Sequence, residues 1–343
     1  MPHRGRKQDM IRAAIVGCGL IGAKRAKTPP KSSADIQIVA VCDVDESRAQ
    51  ALARQLPAAD ASTDWRTTVG RSDVDLVFVA TVHDMLAPIA AEAAGAGKHV
   101  LIEKPGARSK AELAPVREAA RRTGALVRVG FNHRYHRAFR KAREVFESGV
   151  LGEMMFIRGR YGHGGRPGYD KEWRAVREKS GGGELVDQGM HLIDLARWFL
   201  GDFSEVKAFT GTYFWDMPVE DNAFLLLRTP RGQVASLHAT WTEWKNLFSF
   251  EISGRNAKLE ISGLGGSYGT ERLALYRMLP EMGPPETTIW EYPMADDSWQ
   301  QEVAEFVTDI RLNRQPSPGL AEAEAALDIV ETIYRESLRD HHQ

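Results

Sequence analysis

A glycine pattern near the start of the chain narrows the fold more than any other feature. Gly17-Cys18-Gly19-Leu20-Ile21-Gly22 follows an apolar run at 13–16 and opens a helix-forming stretch at 20–27. In a strand–turn–helix context the three glycines have separate tasks. Gly17 permits the tight turn, Gly19 lets the backbone approach a pyrophosphate, and Gly22 lets helix and strand pack closely. The backbone at Leu20 and Ile21 then presents unpaired N–H groups and the positive end of the helix dipole to phosphates. This part of the chain is therefore expected to hold a dinucleotide.

The rest of the first third agrees. Apolar runs at 13–16, 36–42, 76–80, 99–102 and 126–129 are rich in Val and Ile and bounded by turn residues, so they read as buried strands. Helical segments are expected at 20–27, 46–55, 86–96 and 110–122. Ser109 and Glu112 form a capping box for the last of these. Such alternation predicts a doubly wound parallel sheet, a Rossmann dinucleotide-binding domain over 1–131.

From 132 to 343 the rhythm changes. Helices are expected at 137–148, 185–200, 299–312 and 321–338. Strands are expected near 154–160, 234–241, 248–252 and 258–261. This half reads as an α+β domain with a largely antiparallel sheet.

Asp43 ends the second strand, 21 residues after Gly22. A carboxylate there accepts hydrogen bonds from an adenosine ribose and repels a 2′-phosphate, which predicts NAD over NADP. Asp45 is the better N-cap for the following helix. Arg48, the one nearby cation that a 2′-phosphate could use, lies within that helix. Glu103-Lys104-Pro105 follows the fourth strand. Ligands of doubly wound sheets sit beyond the carboxyl ends of the strands, so Lys104 is placed to hold a reacting oxygen. Farther along, Gly181-Gly182-Gly183 precedes a helix carrying Asp187 and His191. Four residues apart, these two share a helix face. His191 titrates near neutrality and suits the transfer of a hydroxyl proton. Asp187 is expected to touch substrate or tune His191, and Asp194 to orient the imidazole. The triple glycine is expected to leave room for a ligand.

The GxGxxG run, Glu103-Lys104-Pro105 and the 181–194 segment together resemble the glucose–fructose oxidoreductase / inositol dehydrogenase / MocA family. The resemblance covers essentially the whole chain. It implies an NAD-dependent dehydrogenase with Lys104, Asp187 and His191 as catalytic residues, and a substrate-binding second domain whose large, open, mostly antiparallel sheet packs into a homodimer or homotetramer. Thr81, Glu103 and Lys104 are expected near the cofactor. Two segments depart from the family pattern. Thr81-Val82-His83-Asp84-Met85-Leu86 replaces a common Thr-Pro-Asn-x-x-His run. After Phe131-Asn132-His133-Arg134-Tyr135, Arg137 stands where a proline is usual.

The substrate is expected to be a sugar, cyclitol or nucleotide sugar whose secondary alcohol is oxidised, or whose ketone is reduced. Between 158 and 179, seven Lys and Arg face three acidic residues. Tyr161, Tyr169 and Trp173 are interleaved there. Asn132, Arg134, Tyr161, Arg166 and Trp173 are thus expected to meet substrate beside Asp187 and His191, and the charge raises the prospect of an anionic sugar. Two other functions share these motifs. One is an enzyme that recycles tightly held NAD during hydrolysis or elimination. The other is a non-enzymatic sugar or dinucleotide sensor.

A net charge of −1 among 343 residues, 27% of them charged, argues against nucleic acid as a partner. The polar, basic first ten residues lack a signal-peptide core, and no run is long and apolar enough to span a membrane. Cys18 and Cys42, the only cysteines, are expected to be core thiols in a cytoplasmic protein. His133 and His136 lack the further ligands a metal needs. The Gly263–Gly269 stretch is expected to turn between strands.

Overall fold

The computed structural model describes residues 10–28 and 35–340. The polar stretch ahead of Met10 lies outside the described residues. The chain forms two compact units, Met1–Gly130 with Trp299–Ala323, and Phe131–Ser298 with Glu324–Gln343.

The first unit alternates strand and helix: β1 Ile11–Val16, α1 Leu20–Arg25, β2 Ile36–Cys42, α2 Glu46–Ala53, β3 Asp60–Ser62, α3 Trp65–Val69, β4 Leu76–Val79, α4 His83–Gly95, β5 His99–Glu103, α5 Lys110–Thr123 and β6 Val127–Gly130. The strands lie in the order β3-β2-β1-β4-β5-β6, all neighbours parallel. Chain order reverses between β1 and β4, which is where a Rossmann sheet opens its ligand crevice. β4 is buried along its whole length, because parallel strands are covered on both faces. That is why these strands read as unbroken apolar runs.

Four local expectations change. Helix α4 begins at His83 rather than Leu86, with Pro88 inside it. The short edge strand β3 and the five-residue α3 are polar and half-exposed, and they carry no periodic signal. Ser109 is the N-cap of α5 but gives no side-chain capping bond. Glu112 instead accepts from the backbone N–H of Arg108, 3.0 Å away, and from its guanidinium. The helix α9, Ser298–Leu312, from Trp299 onward belongs to the first unit and not to the second. Its Val303, Phe306 and Val307 join the core made by Ile15, Ile38, Leu76, Phe78 and Leu101.

The second unit holds α6 Arg137–Glu147, β7 Met154–Gly162, a short α7 Arg177–Ser180 and α8 Met190–Leu200. Then come β8 Glu205–Gly211, β9 Asn222–Arg228, β10 Val234–Thr240, β11 Leu247–Gly254, β12 Ala257–Ser262, β13 Glu271–Arg277 and β14 Glu286–Tyr292. The last helix, α10, spans Leu320–Asp340. The sheet runs β14-β13-β12-β11-β7-β10-β9-β8, antiparallel throughout except for β7 beside β10. One face is buried, as the alternation in β9 and β12 shows. The opposite face of β8 and β9 exposes Phe209, Phe224 and Leu226. Gly263–Gly269 turns between β12 and β13, closed by a bridge between Gly266 and Gly269.

Candidate functional site

In the first unit every candidate cofactor residue stands at or just beyond the carboxyl end of a strand of the sheet. Gly17 has φ +98°, and a Cβ there would meet the Ala80 carbonyl oxygen at 2.4 Å and the Thr81 nitrogen at 2.9 Å. A Cβ on Gly22 would meet the Gly17 carbonyl at 1.8 Å. A Cβ on Gly19 would meet nothing within 4 Å among the described residues, so the backbone is open to an approaching group. Gly19 is the N-cap of α1 without a side-chain capping bond, which leaves the helix start with Leu20 and Ile21 to an outside acceptor. Asp43 binds this loop to the end of β2. One carboxylate oxygen accepts from the Cys18 N–H at 2.7 Å and the other from the Asp45 N–H at 2.9 Å. A carboxylate retains further lone pairs for ribose hydroxyls. Asp45 caps α2, as expected. Burial, and then Asp43, pushes the Cys18 thiol up to about 12, so it stays protonated and inert. Open backbone at Gly19, an uncapped helix start and a rim carboxylate together fit the adenosine and pyrophosphate half of a dinucleotide.

Glu103 points elsewhere. Its carboxylate accepts from Arg25 at 2.6 Å, and Arg25 also reaches Glu302 of α9 at 2.6 Å while lying 4.4 Å from the Trp299 ring centre. This buried cluster occupies the carboxylate of Glu103, which was expected near the cofactor, and fixes the residue just before Lys104. Lys104 itself is half-buried at the end of β5.

In the second unit, the helix bearing Asp187 and His191 begins with a π-helical turn, Leu185–Gly189, before α8. The expected uniform α-helix is thus wider at Asp187, a geometry frequent at functional sites. The glycines before it are filled by protein rather than by ligand. Gly181 has φ +83°. A Cβ on Gly182 would lie 1.9 Å from the Tyr334 hydroxyl, and one on Gly183 1.9 Å from the Glu220 carbonyl. The Glu220 carboxylate accepts from the N–H groups of Gly183 and Leu185 and from Tyr334 at 2.7 Å, capping the helix. Burial raises the Glu220 carboxyl above its usual range against those donors.

Asp187 accepts from Arg174 Nε at 2.9 Å. His191 lies flat against His133, ring centres 3.6 Å apart and planes 19° from parallel. His133 in turn meets His136 edge-on, and His136 Nδ1 is 2.9 Å from Glu271. Tyr161 packs beside both His133 and His191. Burial, then Tyr268, holds its hydroxyl well above the ordinary value. Asp194 gives both oxygens to Arg134, at 2.6 and 2.8 Å, in a buried bidentate pair. That pair occupies Asp194, which was expected to orient the imidazole, and fixes Arg134, which was expected to meet substrate. Asn132 donates to the Ser298 hydroxyl at 3.0 Å, which ties the turn to a segment 166 residues away. Arg166 pairs with Glu172 at 2.6 Å and is 65% exposed. Trp173 lies half-buried next to Arg174. Reading the sequence missed Glu220 and Tyr334 and saw Arg174 only as part of the basic 158–179 stretch; their partners lie 13 to 114 residues away. It also set aside His133.

Residues 11–131 match the sequence model described as "Oxidoreductase family, NAD-binding Rossmann fold". Residues 139–260 match the "GFO/IDH/MocA C-terminal domain". A levoglucosan dehydrogenase of Pseudarthrobacter phenanthrenivorans is 28% identical over 64% of this chain and 63% of its own length. An inositol 2-dehydrogenase of Salmonella typhimurium is 29% identical over 64% of this chain and 62% of its own length. The matched region therefore spans a little under two thirds of these relatives. Among solved structures, levoglucosan dehydrogenase in complex with NADH and levoglucosan superposes with a TM-score of 0.86 at 23% identity, covering 96% of this chain and 97% of that one. An oxidoreductase domain protein from Kribbella flavida gives 0.85 at 26%, covering 96% and 98%. The chain belongs to the glucose–fructose oxidoreductase / inositol dehydrogenase / MocA family and carries its NAD-binding Rossmann fold.

Proposed function

We propose that the chain is an NAD-dependent dehydrogenase that oxidises a secondary alcohol of a neutral polyhydroxylated ring, a sugar or cyclitol, or reduces the matching ketone. The observation that carries this reading is the buried Asp187/His191 helix face, with an imidazole held flat by His133. Bound nicotinamide supplies the acceptor for the hydride that leaves the carbinol carbon. His191 takes the hydroxyl proton as the C–O bond becomes a carbonyl. Lys104 donates to the same oxygen and stabilises its developing charge. Asp187 accepts from a neighbouring hydroxyl. Gly17, Gly19, Leu20, Ile21, Gly22, Asp43 and Thr81 hold the dinucleotide, and Asp43 disfavours a 2′-phosphate.

Charge pairing favours a neutral ring over an anionic one. Arg158 is paired with Glu251, Arg166 with Glu172 and Arg174 with Asp187, which quenches much of the basic character of 158–179. The named relatives act on levoglucosan, inositol and D-glucosides, all uncharged. A second copy covering the apolar outer face of β8 and β9 is the assembly this reading expects.

The test is absorbance of reduced nicotinamide. Protein is mixed with NAD or NADP and inositols, anhydrosugars, glucosides, uronates or nucleotide sugars, alongside Lys104→Ala and His191→Ala. NADH formed from a neutral ring and lost in both variants is the expected result. NAD binding without net NADH would point to a recycling enzyme or a sensor, and faster turnover of a uronate would overturn the neutral-ring assignment.

A further inference from the structure

We propose that Arg174 is a substrate-specificity residue that forms, with Asp187, a fixed donor–acceptor pair reading two adjacent hydroxyls of the ring. The proposal rests on the reading above, in which Asp187 faces substrate.

Arg174 sits in the one-turn helix Trp173–Ala175, its guanidinium carbon 4.6 Å from the Trp173 ring centre. It meets Asp187 through Nε alone, at 2.9 Å. A guanidinium that served only to neutralise a carboxylate would do so best through two parallel bonds, as Arg134 does with Asp194. Here both terminal nitrogens of Arg174 lack a protein hydrogen-bond partner among the described residues and remain reachable from solvent, although the side chain is only 27% exposed. Four N–H donors are thus held rigidly next to the carboxylate assigned to substrate, with Trp173 and Asp187 fixing the plane.

His163 adds a donor of the same kind. Its Nδ1 accepts from the Gly165 N–H at 2.9 Å, which leaves the ring proton on Nε2. Burial, with Arg174 and Arg166, keeps its pKa below the ordinary value, so the ring is neutral, and it lies within electrostatic reach of Asp187.

The complement of this arrangement is a vicinal diol. One hydroxyl donates to Asp187, and its neighbour accepts from Arg174. A carboxylate on the substrate would gain Arg174 but face Asp187, so the pair selects for a neutral ring. A ring lacking one of the two hydroxyls leaves a charged, half-buried group without its partner, which is the strongest form of discrimination a small site can make.

The experiment measures equilibrium binding by calorimetry, with NADH present, and kcat/KM. The probes are myo-inositol, methyl glucoside, their deoxy analogues lacking one hydroxyl, and glucuronate. Arg174→Met removes the donors. Arg174→Lys keeps a cation for Asp187 but loses the fork, and covers the case in which Arg174→Met fails to fold. In the unsubstituted protein, loss of the hydroxyl read by Arg174 should weaken binding roughly 10- to 100-fold. In either variant the same deletion should cost about 3-fold or less. An undiminished deoxy penalty in folded Arg174→Lys overturns the proposal while leaving the dehydrogenase reading intact. Tighter binding of glucuronate than of the neutral rings overturns it as well. If the unsubstituted protein neither binds nor turns over any probe, the dehydrogenase reading fails first and takes the proposal with it.

Discussion

Replacing Arg25 with methionine removes the guanidinium that is hydrogen-bonded to two buried carboxylates, Glu103 and Glu302. Arg25 is fully buried, as is Glu302, and Glu103 is nearly so. Breaking a buried ion pair from one side costs about 3–5 kcal/mol, because the remaining charge is left without compensation. With two carboxylates orphaned the upper part of that range applies, about 4–5 kcal/mol. For a unit of this size that lowers Tm by roughly 8–20 °C.

The pH dependence gives the sharper test. Burial already pushes the Glu302 carboxyl up, and Arg25 is the main group pulling it back. Without Arg25 the buried Glu302 carboxyl titrates further above its unfolded value near ~4.3. Between that value and the raised one the folded state binds more protons than the unfolded state. Stability of the variant therefore falls as pH rises through this window. The deficit relative to the unsubstituted protein should be smaller at pH 5 than at pH 8, and Arg25→Met with Glu302→Gln should recover part of it. Glu103 directly precedes Lys104, so kcat/KM should also drop, by roughly 10- to 100-fold if the lysine moves by an ångström. Thermal melts at the two pH values, with turnover of the accepted ring, make the assay. An equal deficit at both, or one below about 1 kcal/mol, would refute the view that this cluster positions the end of β5 through charge.

Asp43→Ser removes the carboxylate at the cofactor rim. A unit charge about 4 Å from a phosphate is worth about 4 kcal/mol at an effective dielectric near 20, so the NAD/NADP ratio of kcat/KM should fall by up to roughly 1,000-fold. Phe306→Ala hollows the first unit's core from α9. Its melting transition should lose about 3–5 kcal/mol, whereas a peripheral helix would lose far less. His133→Ala removes the ring under His191 and should lower kcat about 10-fold with little change in KM. His133→Phe, which keeps a flat partner, should restore most of it, and equal losses in both would move the role from the ring face to a nitrogen.

The first unit was legible because buried parallel strands advertise themselves. Leu76–Val79 is wholly apolar, and Gly17, Asp43 and Lys104 each punctuate a strand's carboxyl end. Short polar pieces such as Asp60–Ser62 carry no such signal. Pro88 obscured the start of α4, since a proline at its sixth position reads as a boundary although only one helix bond is lost. The amphipathic stripe of α9 predicts a helix but not which core receives it. Gly182 and Gly183 mark a tight place without naming what fills it, and Tyr334 and Glu220 come from distant segments. Asp187 and His191 were visible as residue types at a spacing. Their partners, Arg174 and His133, were not, because nothing periodic connects them to the helix.

Both units spend buried charge next to the residues assigned to chemistry. Glu103, held by Arg25, which also binds Glu302, stands immediately before Lys104, and Arg134 with Asp194 stands one turn beyond His191. Buried ion pairs are poor sources of stability, since well-packed apolar side chains of similar volume do as well or better. What they provide is direction. A guanidinium held from two sides fixes an angle that a leucine would leave to packing. Five polar residues of the 184–194 segment are buried, Glu184, Asp187, Gln188, His191 and Asp194, where helix packing alone calls for none. Their anchors come from separate parts of the chain: Arg174 on Asp187, Tyr268 on Gln188, His133 on His191 and Arg134 on Asp194. A segment tethered at that many points has its side chains set by the fold and not by its own rotamers. An imidazole that must take a proton from one particular hydroxyl requires that condition.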